Sequence, residues 1–346
     1  MGSSERLSVQ DHHYVPRGLL RKWSTDGNRI FTYRLLVSDD SVDVWRLRSI
    51  SAVGYQENLY ADRTNSLETW FAREIEEPAL LVIGRLGERN HLSKDDWHAL
   101  VRFWMLQALR TPQRYAERMQ WWTRVLPDMM GKVLRETAIQ IEEWADHGRT
   151  FPTSRRDENR FSGVFRTKLT PRAGGGGEIR AEVTLGRELW LAGIQHVMEG
   201  ACMDRLLSYR WSILSPATGS EWFLTDDPAL TLGYAHGRFD FRTGIGRRHA
   251  DLLMPLTPLH LLHTEVGSPR PPSYQVSAEL TRTIQRALIL RAHRMVFATK
   301  REDWVPWLRP REVNADRFRD EQLQWRSWAA EQARAELDVW GAEGRA

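Results

Sequence analysis

Three short tracts collect the residue types that acid–base and metal chemistry use. The first is Asp11-His12-His13-Tyr14-Val15-Pro16. A neutral imidazole can ligate a metal ion or accept a proton near neutral pH. The second is Asp226-Asp227-Pro228, which follows the apolar run Trp222-Phe223-Leu224-Thr225. A carboxylate at a strand end can project into a cleft, hold a divalent ion or orient His13. The same tract also makes a turn: Asp caps its own backbone, and Pro228 pushes Asp227 into an extended conformation. The third is a helical stretch carrying Glu68 and Glu76, followed by a second one with His98, Gln107 and Arg110. At about 100° per residue the two glutamates lie roughly 80° apart round a helix, so both border one face. There they could hold a divalent ion, share a proton or pair with Arg110. No Glu stands three residues before His98, so the Glu-x-x-His spacing of di-iron bundles is absent. Arg110 can clamp a phosphate or carboxylate in bidentate fashion, or pair structurally with an acid.

Together these residues define one expected polar centre. In a metal-assisted phosphodiester hydrolase, His13 is the general base that activates water and Arg110 steadies the phosphate. His12 and Asp226 hold one divalent ion (Mg, Mn or Zn), with Glu68, Asn58 and Gln107 as supporting or alternative ligands. The competing expectation is a non-catalytic interaction or ligand-sensing module, in which the same residues lock a hairpin onto helices. The sequence holds no P-loop, no G-x-G-x-x-G, no G-x-S-x-G elbow and no H-E-x-x-H. Hence no nucleotide cofactor motif is expected.

The elements that must position these residues are legible in outline. Arg29–Leu36 and Val42–Ile50 are rich in β-branched and aromatic residues and read as an antiparallel hairpin. Residues 66–86 read as a helix with a kink expected at Pro78. Ser93 is a good N-cap for the helix through Arg110, and Thr111-Pro112 punctuates the next, through residues 114–126. A further helical tract from Lys132 ends at Gly148. Residues 150–184, with glycines at 174–177, read as a flexible break. A helix is expected over 186–207. Period-two strands follow, then a helix from Ser277 and a last strand from Met295. Helices and strands are segregated, which gives an α+β class with the strands in one mixed sheet packed on helices. The domain expectation is a single unit over 1–310. The glycine tract would divide it into 1–150, a hairpin plus helices, and 185–310, an antiparallel sheet plus helix. Residues 311–346 form a C-terminal amphipathic helix.

A series of motifs then runs in order along the chain. Asp11 to Pro16 with Leu20 and Trp23 opens it. Glu57-Asn58-Leu59-Tyr60, Glu68 and Glu76, and Gln107 with Arg110-Thr111-Pro112 follow. It ends with Phe223 to Pro228, Pro255-Leu256-Thr257-Pro258 and Ala292 to Phe297. This series resembles a bacterial family known as domain of unknown function 4238. Two positions depart from its pattern: Trp23 stands where Phe is usual, and Asp227 where Asn is usual. The resemblance implies a shared fold and names no reaction. The opening tract is also similar locally to the first strand of HNH (His-Asn-His) nucleases. That similarity implies His12 as ligand, His13 as base and Asn28 as the middle Asn. The second metal histidine that such a site needs is missing from the following strand.

Composition sets bounds on the rest. The chain has 346 residues, 41% hydrophobic and 27% charged, with net charge +4. That is a folded globular profile. The charge permits nucleic-acid binding without indicating it. One cysteine, Cys202, excludes a multi-thiolate site and an internal disulfide. It suits a cytoplasmic protein and reads as a buried, inert thiol. No apolar run reaches membrane-spanning length, so no membrane association is expected. Sixteen tryptophans read as core packing with bonded indole N–H groups.

Overall fold

Alternation along Arg29–Arg34 and Trp45–Ser49 decides which residues the hairpin buries. Side chains on a strand point to opposite faces in turn. The register pairs Tyr33 with Trp45, Phe31 with Leu47, Thr32 with Arg46 and Ile30 with Arg48. Tyr33 and Trp45 therefore face a core of Leu35, Phe223, Ile289, Val296 and Val305. Thr32, Arg34, Arg46 and Arg48 face the other way. The computed structural model describes residues 11–60, 66–88, 91–148, 164–171 and 177–343.

The hairpin belongs to a four-stranded sheet. Its third strand is Met295–Ala298, antiparallel to Arg29–Arg34, and its edge is Leu224–Thr225. A six-stranded sheet is separate from it. Its order is Arg238–Asp240, Leu230–Ala235, Asp251–Thr257, His260–Glu265, Ser212–Ser215 and Ser273–Gln275. All its pairings are antiparallel except the last, which is parallel. The helix Ala278–Arg291, capped by Ser277, packs Ile284, Ala287 and Leu288 onto Leu214, Leu230 and Leu253 of this sheet.

The class is α+β, but the strands do not merge into one mixed sheet. The reason lies in Thr225-Asp226-Asp227-Pro228. Proline cannot donate to a ladder, and the residue before it is conformationally restricted. The turn read from the sequence therefore parts two strands that go to different sheets. Leu224–Thr225 stays with the hairpin sheet and Leu230–Ala235 enters the other.

The helices follow their caps. Ser93 and Asp96 form a reciprocal capping box at the start of Lys94–Arg110. Ser66–Phe71 and Glu77–Gly84 are joined by a π-helical turn, Ala72–Glu76. Two helical tracts expected after Pro112 are one helix of 35 residues, Pro112–Asp146, with Pro127 inside it. Good helix formers on both sides carry it past the one backbone hydrogen bond that Pro127 forfeits. The expected 186–207 helix is interrupted at Gly200, into Arg187–Glu199 and Ala201–Leu207.

Internal contacts divide the chain into residues 1–114 with 196–329, and residues 115–195 with 330–346. The division runs across the glycine-rich tract rather than ending at it. Part of that tract is ordered, contrary to expectation. Phe165–Pro171 and Gly177–Val183 pair as an antiparallel ribbon in register from Phe165↔Val183. Gly174 to Gly176 lie outside the described residues. In this second unit Tyr115 meets Trp190 edge to face, and Gln332 accepts the Arg187 backbone N–H at 2.7 Å.

Four tryptophans behave as the core reading expects, whereas Trp121 and Trp307 are exposed. Trp23, Trp104, Trp211 and Trp222 are buried and donate to the carbonyls of Trp222, Leu253, Leu206 and Leu214. Cys202 departs from expectation. It lies on the partly exposed side of a short helix and is not buried.

Candidate functional site

His12 enters the fold on the short strand Asp11–His13, paired antiparallel with Tyr55–Glu57. Gly54, just before the partner strand, makes that pairing possible. It sits at φ +66°, and a Cβ there would come within 3.1 Å of Val15. The His12 ring is buried. Its Nδ1 accepts the Tyr60 backbone N–H at 2.9 Å, and its Nε2 lies 3.1 Å from Glu68 Oε2. This pattern puts the proton of the neutral ring on Nε2, facing the carboxylate. No lone pair is left on the imidazole for a metal ion.

Arg110, also buried, is held just as fully. Its Nε donates to the Tyr14 carbonyl at 3.1 Å, and its Nη1 pairs with Glu76. With its amide turned to match its neighbours, Gln107 donates to the Tyr14 carbonyl and accepts from the Arg110 guanidinium, each at 3.0 Å. The Tyr60 hydroxyl donates to the Arg110 carbonyl. The rings of Tyr60 and Phe71 flank the guanidinium at 6.0 and 5.9 Å. The π-helical turn ends at Glu76, the residue that meets Arg110. His98 takes no part in the ion pairs of Glu68 and Glu76.

Asp226 and Asp227 are buried at the crossing between the sheets. Asp226 accepts three backbone N–H groups, from His293 at 2.8 Å, Arg294 at 2.7 Å and Met295 at 3.1 Å. Its carboxyl is pushed up to about 7 by burial, against the opposing pull of the Arg294 and His293 N–H groups. Asp227 takes Thr111 and Arg114 on Oδ1 and Arg291 on Oδ2. The donors proposed for a metal are thus committed to separate protein partners. His12 serves the Tyr60–Glu68 knot, and Asp226 clamps the start of the Met295–Ala298 strand. Among the described residues no group of three or more His, Cys, Asp or Glu side chains could hold a metal ion. The donor set expected from the sequence therefore does not fit an ion at His12 and Asp226.

His13 is more open. Burial, then the nearby Arg17 charge, lowers its pKa. Its Nε2 accepts from Arg17 Nε at 3.3 Å. Asn58 sits in the left-handed region at φ +54°, just after the paired strand, where Asn is tolerated. Asn28 is an exposed turn residue, its backbone N–H donated to Asp26.

A second arrangement was not expected from the sequence. The face of the hairpin opposite its core carries Arg34, Arg46 and Arg48. None of the three makes a hydrogen bond or ion pair with a described side chain. All three border a hollow of about 170 Å³, and Arg34 and Arg48 with Phe318 also border an adjoining one of about 300 Å³. The pKa of Arg34 is lowered first by burial and next by Arg48. That of Arg48 is lowered first by burial and next by Arg46. The three cations therefore repel one another in a place where water is partly excluded. Across the larger hollow stands the helix Ala315–Glu343. Phe318, Glu321, Gln322 and Trp325 fall on one of its faces, at the i, i+3, i+4, i+7 spacing. Phe318 covers Arg34 at 5.1 Å, and Glu321 is gripped in bidentate fashion by Arg294. His293 completes the lining. Its ring has no hydrogen-bond partner among the described residues. Its pKa is lowered to about 4, by burial first and by Arg294 next, so it is neutral at pH 7.

A family model described as "Protein of unknown function (DUF4238)" matches residues 11–302. The chain belongs to that family. No curated protein and no solved structure matches it.

In this DUF4238 protein the tracts around His12, Arg110 and Asp226 tie distant segments together. Asp227 has its charge answered by Arg114 and Arg291. Pro255 and Thr257 stand at a register shift between two strands of the larger sheet. The arginines of the hollow fall outside every motif read from the sequence. Their signal was the alternation itself. Arg46 and Arg48 are two apart on one strand and cross-strand from Thr32 and Ile30, so they share a face with Arg34, and no acid occupies that face of the hairpin.

Proposed function

We propose that this protein is a ligand-binding module whose hairpin arginines capture an oxyanion carried by a small molecule. One observation carries the reading. Arg34, Arg46 and Arg48 converge on a partly enclosed hollow, and no described carboxylate pairs with them. Like charges gathered in a partly desolvated site raise the energy of the folded chain unless an anion joins them. Guanidinium groups match phosphate and carboxylate oxygens in bidentate geometry. On this reading His12, Arg110, Asp226 and Asp227 are structural. They hold the hairpin, the helices and the Met295 strand in the positions that shape the hollow. No helix among the described residues is long and apolar enough to cross a membrane. With one cysteine in the chain, a cytoplasmic ligand in a bacterial cell is part of the proposal.

The test is thermal stability with inorganic phosphate or sulfate at low ionic strength, for the native protein and for Arg48→Ala. A bound anion raises the melting temperature with concentration. The expected result is a saturable rise in the native protein that is absent in the variant. Equal rises in both, or none in either, would count against the site.

One observation favours a second reading, metal-assisted phosphodiester hydrolysis with His13 as base. The His13 ring is half-buried and its pKa is lowered, by burial first and by Arg17 next, which keeps the ring neutral at pH 7; its Nε2 would exchange the long bond from Arg17 Nε for the proton it takes. Cleavage of a bis-aryl phosphodiester that needs added Mg, Mn or Zn and is lost in His13→Ala would establish it. Cleavage unchanged in that variant would remove it.

A further inference from the structure

The two hollows differ in chemistry, and the difference restricts what can fill them together. The smaller is lined by Arg34, Arg46 and Arg48, with Asp43 at its border, and the Thr32 and Ser38 hydroxyls there already donate to the Ile30 carbonyl and the Asp39 carboxylate. The guanidinium groups are the donors it offers to a compact oxyanion. The larger carries the aromatic rings of Tyr55 and Trp325 and the polar groups of Gln322 and Glu321. Trp325 is backed edge to face by Trp328, with ring centroids 5.3 Å apart. A ring fixed in this way presents a flat, rigid surface for stacking. Arg34 and Arg48 border both hollows, so they lie where an oxyanion and a flat group would be joined.

We infer that the occupant is a phosphate monoester bearing a flat heteroaromatic ring, of the nucleoside monophosphate class. This rests on the oxyanion reading given above. The phosphate would take the arginine side, held by Arg34, Arg46 and Arg48. The base would enter the larger hollow against Trp325. Gln322 can donate to and accept from the base edge, and the neutral His293 ring offers one further polar group. No glycine-rich phosphate loop is needed, because side-chain guanidinium groups supply the donors that such a loop supplies from backbone. A single nucleotide fits better than a strand. Glu57 and Glu321 line the larger hollow and would repel the next phosphate of a polymer.

The test is calorimetric titration of the full chain at low salt with inorganic phosphate, ribose 5-phosphate, adenosine and AMP in turn. GMP, CMP and UMP follow, and then a twelve-residue single-stranded oligonucleotide. AMP or another of the four monophosphates should bind at least about tenfold tighter than inorganic phosphate, as stacking of one base provides. Trp325→Ala should lose that tenfold advantage yet bind inorganic phosphate as before, and Trp325→Tyr should recover part of it. Arg48→Ala should lose both ligands at an unchanged melting temperature. If phosphate binds and no monophosphate binds tighter, the nucleotide inference fails while the oxyanion site stands. If phosphate itself does not bind, the oxyanion reading falls and takes the inference with it. Tighter binding of the oligonucleotide than of every monophosphate would overturn the inference in favour of a polymer.

Discussion

Arg110 and Arg48 pose the same residue type in two opposite settings. Arg110 is buried with Glu76, the Tyr14 carbonyl, Gln107 and two aromatic rings around it. Arg48 stands in a hollow beside Arg34 and Arg46, with no described partner. A fully satisfied buried network fixes a conformation and leaves no capacity for another molecule. An unsatisfied cluster of like charge does the reverse. It contributes nothing to holding the fold and keeps its full bonding capacity for a ligand. On the proposed reading the polar residues that stand out in the sequence belong to architecture, and the inconspicuous ones on the hairpin are those that remain able to bind.

The sharpest way to break the contrast is Arg110→Ala. It leaves Glu76 and the Tyr14 carbonyl without their cation inside the protein, and about 3–5 kcal/mol of stability should be lost. Urea unfolding measures it, and a loss below ~1 kcal/mol would mean that the knot is not structural. Next in size is His12→Ala, which strands the Tyr60 N–H and the Glu68 carboxylate. About 1–3 kcal/mol should be lost, with phosphate affinity at the hollow unchanged. A matching loss of affinity would show that the two regions are not independent.

The third effect is a slope. The Asp226 carboxyl, raised to about 7, is more protonated folded than unfolded between about pH 4 and 7, so its contribution falls as pH rises. His293, lowered to about 4, is less protonated folded than unfolded between about pH 4 and 6.5, so its contribution rises with pH. The two oppose each other in the shared window. Asp226→Asn should expose the rising slope and His293→Asn the falling one, each on the order of 1.4 kcal/mol per pH unit. Parallel slopes in the two variants, followed by unfolding at a series of pH values, would refute the opposition. The smallest effect is Arg46→Ala or Arg48→Ala without ligand. Stability should stay within about 0.5 kcal/mol or rise slightly, because repulsion is relieved and no partner is abandoned. A loss above ~2 kcal/mol would place these arginines with Arg110.

Local rules explain what could be read in advance. The hairpin, the Ser93 cap, the helix from Ser277 and the tryptophan packing all follow from period, cap chemistry and apolar type. Glu76 meeting Arg110 was one of the readings of those residues. What local rules cannot give is the choice among long-range partners. His12 and Asp226 carry metal-ligand chemistry, yet whether their donor atoms stay free depends on Tyr60, Glu68 and three backbone N–H groups far along the chain. The split at Pro228 was visible as a turn, but its consequence for the sheets was not. The ribbon at Phe165–Pro171 was hidden because a glycine tract reads equally well as a linker or as a hairpin loop. The hollow was missed because an arginine on an exposed strand position usually faces bulk water.

The position of Met295–Ala298 between Arg29–Arg34 and Leu224–Thr225 has a kinetic consequence. Some 260 residues of chain must leave the ribosome before the inner edge of the hairpin meets its mate. Until then that edge offers unpaired N–H and C=O groups to any passing strand. Contacts this distant in sequence make closure of the small sheet a late and slow event in folding. The three N–H groups that Asp226 receives become available only at that moment, and the helix Ala315–Glu343 that walls the hollow follows later still in the chain.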